Sequence, residues 1–371
     1  PAVEEGRRLR VVVCTVVHHP ADARIYYRQI RALLDAGHQV TYIAPFGELE
    51  DFPERTQPSL TTVTIPRAVG RRRLGALRAA KAAMAAQMGG ADLLLVHDPE
   101  LLLVLPPRRG RPPTVWDVHE DTAAALTTKA WLPGWLRPAA AGGVNLAERL
   151  AERRLHLILA EHGYNERFSG THLVVPNTTY VPDGAPPPSG PRRVVYVGHI
   201  SPDRGSAEMV ELARLLAPHS ISVELIGPAD AAARADIESA GDLAQWHGFV
   251  PNAEALRLTE GALAGLSLLH DEANFAHSMP TKVVEYMAHG VPVVTTPLPL
   301  AVELVESADC GFVVPFGDVA AAASAVLRLD ADPDLRVKMG LRGHDAAQRT
   351  LGWPAAAREF VAQLEAWAGQ S

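Results

Sequence analysis

Lys282 and Glu285 stand three residues apart in the tract PTKVVEYMAHG, part of the polar stretch HDEANFAHSMPTKVVEYMAHGVPVVTT from His270 to Thr296. Pro280 and Thr281 at its start and Gly290 at its end bound this tract as a short helix. The apolar positions Val283, Val284, Met287 and Ala288 leave Lys282, Glu285 and His289 to other faces. A helix N-terminus at the carboxyl end of a parallel strand binds anions, because unpaired N–H groups and the dipole point outward there. A carboxylate one turn in offers two acceptor oxygens to the hydroxyls of a ribose. Phosphate at Lys282 and Thr281 with ribose at Glu285 outlines a nucleoside-diphosphate site.

The first half holds three further polar groups, each directly after an apolar run. HHPADARIY contains His18, His19, Asp22 and Arg24; VHDPE contains His97, Asp98 and Glu100; WDVHED contains Asp117, His119, Glu120 and Asp121. Such clusters at the ends of buried strands are costly unless they are exposed or put to use. No G-x-G-x-x-G follows the first strand, which weakens a dinucleotide reading. Asp22 suits the N-cap of the next helix. His18 and His19 are adjacent rather than one helical turn apart, and no Asp-x-Asp lies near the tract from His270 to Thr296, so no metal is expected.

The stretch from His270 to Thr296 resembles the donor-site signature of glycosyltransferase family 4, whose usual form is Glu, seven residues, Glu, then A-x-G-x-P-V-V. Glu285 matches the second Glu; the first falls at His277. The tract is similar to a branch of that family reading P-x-K-x-x-E-Y-M-A-x-G. The resemblance covers nearly the whole chain, most strongly Val194 to Trp353. It implies that His277, Ser278 and Met279 lie under the donor sugar. In YVGHISPDRGS it implies Gly198 beside the diphosphate, with His199 and Arg204 in the positions of the family's two phosphate cations. Arg is a planar fork suited to phosphate, whereas His199 need not be charged at neutral pH. Asp22 and Arg24 fall in the loop that approaches donor phosphates and acceptor. His119 falls where the family has a His that touches the donor sugar, with Glu120 and Asp121 on the acceptor side. WHGFVPNAE, Trp246 to Glu254, resembles the loop around Phe249 whose backbone reads the nucleobase; uracil and guanine stay open. Asn177 matches a boundary position that is chiefly structural.

Those residues need strands and helices to hold them. Short apolar runs at Arg10–Val17, His38–Ala44, Thr61–Ile65, Asp92–Val96, Thr114–Val118, Leu155–Leu159 and His172–Val175 read as buried strands, with a helix from about Ala23 to Gly37. TYVPDGAPPPSGPR, Thr179 to Arg192, cannot support a helix or central strand and reads as a linker. The pattern restarts with Arg193–Val197, Ser222–Ile226, Gly265–Leu269, Val291–Thr295 and Gly311–Val314. Apolar strands alternating with helices predict α/β architecture with parallel sheets covered on both faces. The expected domains are 1–180 for the acceptor and 190–352 for the donor, two doubly wound Rossmann-like units facing a central cleft. The resemblance makes this a GT-B fold in which the amphipathic tail, Trp353 to Trp367, crosses back to the first domain.

With 371 residues, 47% hydrophobic and 21% charged, the chain suits two globular domains, and it has no apolar run long enough to span a bilayer. Cys14 and Cys310 are its two cysteines, too few for a disulfide framework or a metal site, and the start lacks a signal-peptide pattern; a cytoplasmic location is expected. A net charge of −7 argues against nucleic acid as a partner. The basic run Arg67 to Lys81 reads first as a solvated helix face and second as a weak peripheral contact with an anionic membrane. Together with the resemblance, the expectation is a retaining glycosyltransferase that uses a UDP- or GDP-linked sugar, a small-molecule, glycan or lipid-linked acceptor, and neither cofactor nor metal. A nucleotide-sugar epimerase of similar fold and a non-catalytic two-lobed sugar-binding protein are the alternatives.

Overall fold

The computed structural model describes residues 7–48, 57–119, 137–184, 190–272, 275 and 279–370. The chain divides into two compact units, residues 1–176 with 354–371, and residues 177–353. The first carries a seven-stranded parallel sheet in the order β3-β2-β1-β4-β5-β6-β7. Its strands are β1 Arg10–Cys14, β2 Gln39–Ala44, β3 Leu60–Thr64, β4 Leu93–Val96, β5 Thr114–Val118, β6 His156–Leu159 and β7 Leu173–Val174. The chain winds outward from β1 through β2 to β3, then returns to β4 and winds the other way. The switch point therefore lies between β1 and β4, where the ends of adjacent strands leave a crevice for ligands.

The second unit repeats this plan with six strands in the order β10-β9-β8-β11-β12-β13. They are β8 Arg193–Val197, β9 Ser222–Ile226, β10 Ala244–Gly248, β11 Ala264–Ser267, β12 Val293–Thr295 and β13 Gly311–Val313. Here the switch point lies between β8 and β11. Alternate residues of β8 serve opposite faces: Val194 and Tyr196 join one buried apolar cluster, Val195 and Val197 the other.

All the expected strands are present, with ends that coincide or are displaced by up to three residues, and β10 is the one strand that was not expected. Trp246 to Glu254 was expected as a loop, yet Ala244–Gly248 pairs with β9 and Asn252–Thr259 is helical. β10 is an edge strand, with Gln245, Trp246 and His247 exposed, so no apolar run announces it. The expected Ala23–Gly37 helix forms as a π-helical segment, Ala23–Ile30, continued by an α-helix at Arg31–Asp35. Of the expected linker, Thr179 pairs with Gly352 in a parallel bridge, and residues 185–189 lie outside the described residues.

The C-terminal helix Trp353–Ala368 belongs to the first unit from Pro354 onward. Phe360 and Leu364 are buried, His38 Nε2 lies 3.1 Å from Glu365, and Trp367 stacks on His156 with centroids 4.6 Å apart. In the basic run, Arg67 Nε donates to the Val17 carbonyl at 2.8 Å. Helix Arg73–Gln87 buries Ala76, Leu77, Ala80 and Met84, while Leu74 is exposed. Among the described residues, no helix is long and apolar enough to cross a membrane.

Candidate functional site

Each switch point gathers a polar group, and each belongs to its own unit. In the second unit, helix Thr281–Ala288 follows β11 and points its N-terminus to the carboxyl end of the sheet. Tyr286 anchors it. The Tyr286 ring lies against Gly265 of β11, where a Cβ would come within 2.3 Å of the ring. Its hydroxyl accepts from the Val197 N–H at 3.0 Å and lies 3.1 Å from the Leu266 carbonyl. The helix cannot slide or rotate without breaking these contacts, so Lys282 and Glu285 are held in fixed places.

Lys282 is buried, its Nζ 5.1 Å from the centre of the Tyr196 ring and its Cε beside Gly198. Burial, reinforced by the nearby Arg204 charge and opposed by Glu285, pushes its ammonium down to about 7. Gly198 has φ +127°, and Gly227 approaches it so closely that a Cβ there would lie 2.0 Å from the Gly198 carbonyl oxygen. The chain leaves β8 with its backbone bare at this point, as an approaching phosphate requires. Tyr196 closes the floor: its hydroxyl donates to the His199 carbonyl at 2.6 Å, and burial raises its pKa to about 12.

Arg204 is half-buried, 5.8 Å from the Phe275 ring, whereas His199 is exposed. Glu285 is buried, and Asn252 Nδ2 lies 3.4 Å from its Oε1. Thr281 and Met279 are half-buried and Phe249 is 48% exposed. His277 and Ser278, expected under the donor sugar, lie outside the described residues. The structure thus brings Lys282, Arg204, Glu285 and Gly198 to one strand-end crevice.

In the first unit the polar groups form a network. Asp98, directly after β4, accepts from the Thr15 hydroxyl at 2.8 Å, the Val16 N–H at 2.5 Å and His18 Nδ1 at 2.8 Å. Burial alone would raise this carboxyl; His18, the Val16 N–H and Thr15 reverse that and hold it well below the usual range. Asp117, the inward-facing residue near the end of β5, accepts a two-pronged contact from Arg24, Nε to Oδ2 at 2.7 Å and Nη2 to Oδ1 at 2.6 Å. Gln29 Nε2 and His97 Nδ1 add contacts at 3.1 and 3.2 Å. Despite its burial, Asp117 is held well below the ordinary carboxylate range, chiefly by the Arg24 charge. His119 Nδ1 lies 3.1 Å from the Asp117 carbonyl oxygen, and its Nε2 lies 3.1 Å from His18 Nε2.

Arg24, expected near the donor phosphates, is therefore turned inward: it is buried on Asp117, with Nη1 donating to the Val175 carbonyl at 2.9 Å. Its charge neutralises a carboxylate that could not otherwise stay ionised in the core. Asp22 caps the helix that carries Arg24, accepting from the Arg24 and Ile25 N–H groups at 2.8 and 2.9 Å. Glu120 and Asp121 lie outside the described residues. Sequence reasoning missed the parts played by Thr15, Gln29 and Tyr286, and singled out Asp98 without its role. A carboxylate directly after the buried run of β4 was the available signal for Asp98.

Ligand atoms of His97, Asp117 and His119 lie within 4.8 Å of one another, a spacing that a metal ion can use. The Arg24 guanidinium already occupies both Asp117 oxygens, and a cation there would face it. His97, His119 and Arg24 form a hydrogen-bond network around Asp117.

Residues 191–332 match the family model described as Glycosyl transferases group 1. A putative colanic acid biosynthesis glycosyltransferase, WcaL of Escherichia coli K12, is 26% identical over 215 residues, 54% of this chain and 52% of that protein. The chain thus spans about half the length of this relative. Among solved structures, sucrose-phosphate synthase from Thermosynechococcus elongatus superposes with TM-score 0.74 at 20% identity, over 98% of this chain and all of that one. Anabaena HepE, solved with UDP and glucose, gives 0.70 at 14% identity over 97% of this chain and 100% of its own. The same protein with UDP-glucose gives 0.71. Residues 191–332 are thus similar to the group 1 glycosyltransferases, and the two parallel-sheet units have the GT-B fold.

Proposed function

We propose that the protein is a retaining glycosyltransferase of the family 4 type, which moves a sugar from a nucleoside-diphosphate sugar to an acceptor hydroxyl. One observation carries the reading: Lys282 lies beside the bare backbone of Gly198 at the switch point of the second sheet, within electrostatic reach of Arg204 and Glu285. The two cations and the helix N-terminus at Thr281 suit a diphosphate, and Glu285 suits the ribose hydroxyls. Phe249 and its neighbours take the base. The HepE complexes with UDP and UDP-glucose make a UDP-linked donor the first to test.

In this reading the bond from the anomeric carbon to the leaving phosphate oxygen breaks, and the acceptor oxygen bonds to the same face. The acceptor proton passes to the leaving phosphate. Positioning and stabilisation of the diphosphate charge supply most of the rate. The cations take the place a metal would fill, so the reaction needs none. The likeness to a putative colanic acid biosynthesis glycosyltransferase favours a glycan acceptor.

Incubation of the purified chain with UDP-glucose, GDP-mannose and a panel of glycan acceptors tests the proposal. Acceptor-dependent release of nucleoside diphosphate with retained anomeric configuration, undiminished by EDTA, is the expected result. Turnover of the donor without acceptor would indicate an epimerase instead, and no nucleotide binding at all would exclude both.

A further inference from the structure

The chain leaving β9 meets the backbone of Gly198 through Gly227. A Cβ on Gly227 would lie 2.0 Å from the Gly198 carbonyl oxygen and 2.8 Å from its carbonyl carbon, so the two backbones pack with no room for a side chain. Both glycines stand at positive φ, +127° at Gly198 and +138° at Gly227. The freedom that lets glycine reach such angles also leaves it loose unless its polar groups are held. The Gly198 N–H donates to the Ile226 carbonyl at 2.9 Å, and the Gly227 N–H donates to the Gly248 carbonyl at 2.8 Å. In a parallel ladder the Gly227 carbonyl would next accept from the backbone N–H of Val250. β10 shifts register between Trp246 and Gly248, and a side chain is the donor instead: Trp246 Nε1 donates to the Gly227 oxygen at 2.8 Å. That carbonyl belongs to the peptide into Pro228, which has no N–H by which the peptide could be held. The indole therefore sets the direction of the Gly227 carbonyl.

We propose that Trp246 is a positioning residue for the diphosphate, an inference that rests on the reading of this crevice as the donor site. The indole N–H holds the Gly227 carbonyl toward the sheet edge, Gly227 backs the Gly198 carbonyl, and Gly198 presents its bare backbone beside Lys282. Trp246 is held in turn. The Arg234 guanidinium lies 5.7 Å from the centre of its ring, and Arg234 Nε donates to the Ala229 carbonyl at 3.0 Å. The indole is thus gripped by the same turn that it restrains. Burial alone is a weak reason for so large a ring here, because Trp246 is 39% exposed between exposed Gln245 and His247. Its N–H gives the position a use that a phenyl ring lacks. A crevice whose backbone is fixed beforehand gives up less conformational freedom when an anion arrives, and so binds it more tightly.

Calorimetric titration of the full chain with UDP, and with inorganic pyrophosphate as a competitor of UDP, compares the wild type with Trp246→Phe. The substitution keeps an aromatic ring and removes the N–H. The variant is expected to be folded by circular dichroism and to bind both ligands about three- to tenfold more weakly, by the same factor for each, as the loss of one neutral hydrogen bond implies. A purely structural indole would lower the unfolding midpoint and leave both affinities of the folded chain unchanged; that result would overturn the inference. A loss for UDP without a loss for pyrophosphate would overturn it too, because the ring would then serve the base rather than the diphosphate. If Trp246→Phe does not fold, β-(3-benzothienyl)alanine introduced at position 246 keeps the fused ring, replaces only its N–H by sulfur, and is read in the same way. A wild type that binds neither ligand would remove the donor-site reading and this inference with it. Tight binding by wild type and variant alike would remove the inference alone.

Discussion

Lys282 carries the sharpest expectations at the scale of single residues. With its ammonium pushed down to about 7 by burial and by Arg204, it is only partly charged at neutral pH before ligand binds. A diphosphate arriving beside it favours the charged form, so binding takes up a proton. Affinity for UDP is therefore expected to fall as pH rises through that value, and Lys282→Arg to flatten the dependence, because Arg stays protonated. Calorimetry in two buffers of different ionisation enthalpy measures the uptake directly; identical heats would remove Lys282 from the phosphate site. Arg204 and His199 can be ranked in the same way. Arg204 is half-buried within the electrostatic reach of Lys282, whereas His199 is exposed. A charge-assisted hydrogen bond contributes about 1.5–3 kcal/mol, so Arg204→Ala is expected to weaken donor binding by about one to two decades and His199→Ala by less. Glu285→Ala is expected to lose a comparable amount through the ribose, and unchanged affinity would show Glu285 to be structural.

At the scale of elements, helix Thr281–Ala288 depends on the lock between Tyr286 and β11. Tyr286→Phe removes the acceptor of the Val197 N–H and is expected to cost about 1–3 kcal/mol, read from urea unfolding midpoints. Gly265→Ala should cost more, because the new methyl overlaps the Tyr286 ring. A variant as stable as the parent would show that the ring can be displaced. This lock also shows where the sequence stops being readable. The Pro280 and Gly290 signals and the apolar stripe mark the helix, but nothing local tells that Tyr286 reaches under the sheet rather than joining the site. The central strands are legible because both their faces are buried; β10 is not, since an edge strand with exposed Gln245 and His247 carries no period of its own. Lys282 and Glu285 could be found from a helix start after a strand. The inward turn of Arg24 could not, because its partner Asp117 is 93 residues away and only the sheet brings them together.

At the scale of the whole molecule, the two polar groups belong to different units. Every described residue proposed for the donor site, from Gly198 to Glu285, lies within residues 177–353, and the Thr15–Asp98–His18–His119 network lies within residues 1–176. The second unit also keeps its own closure. Thr179 accepts from the Trp353 N–H at 2.7 Å and donates to the Leu351 carbonyl at 3.0 Å, while Gln348 Nε2 donates to the carbonyls of Pro182 and Asp183. The segments that enter and leave the unit are thus tied to each other inside it, and its buried clusters lie on both faces of one sheet. A fragment of residues 177–353 is therefore expected to fold and to bind UDP or GDP, but to transfer nothing. Ligand at a hundred times its dissociation constant stabilises a folded site by about 2.7 kcal/mol, which in a domain of this size raises the unfolding midpoint by several degrees. Thermal melts of the fragment with and without each nucleotide make the measurement, with circular dichroism to establish that it folds. A folded fragment whose midpoint ignores both nucleotides would move the diphosphate away from Lys282 and Arg204, and with it the reading of the second unit as the donor side.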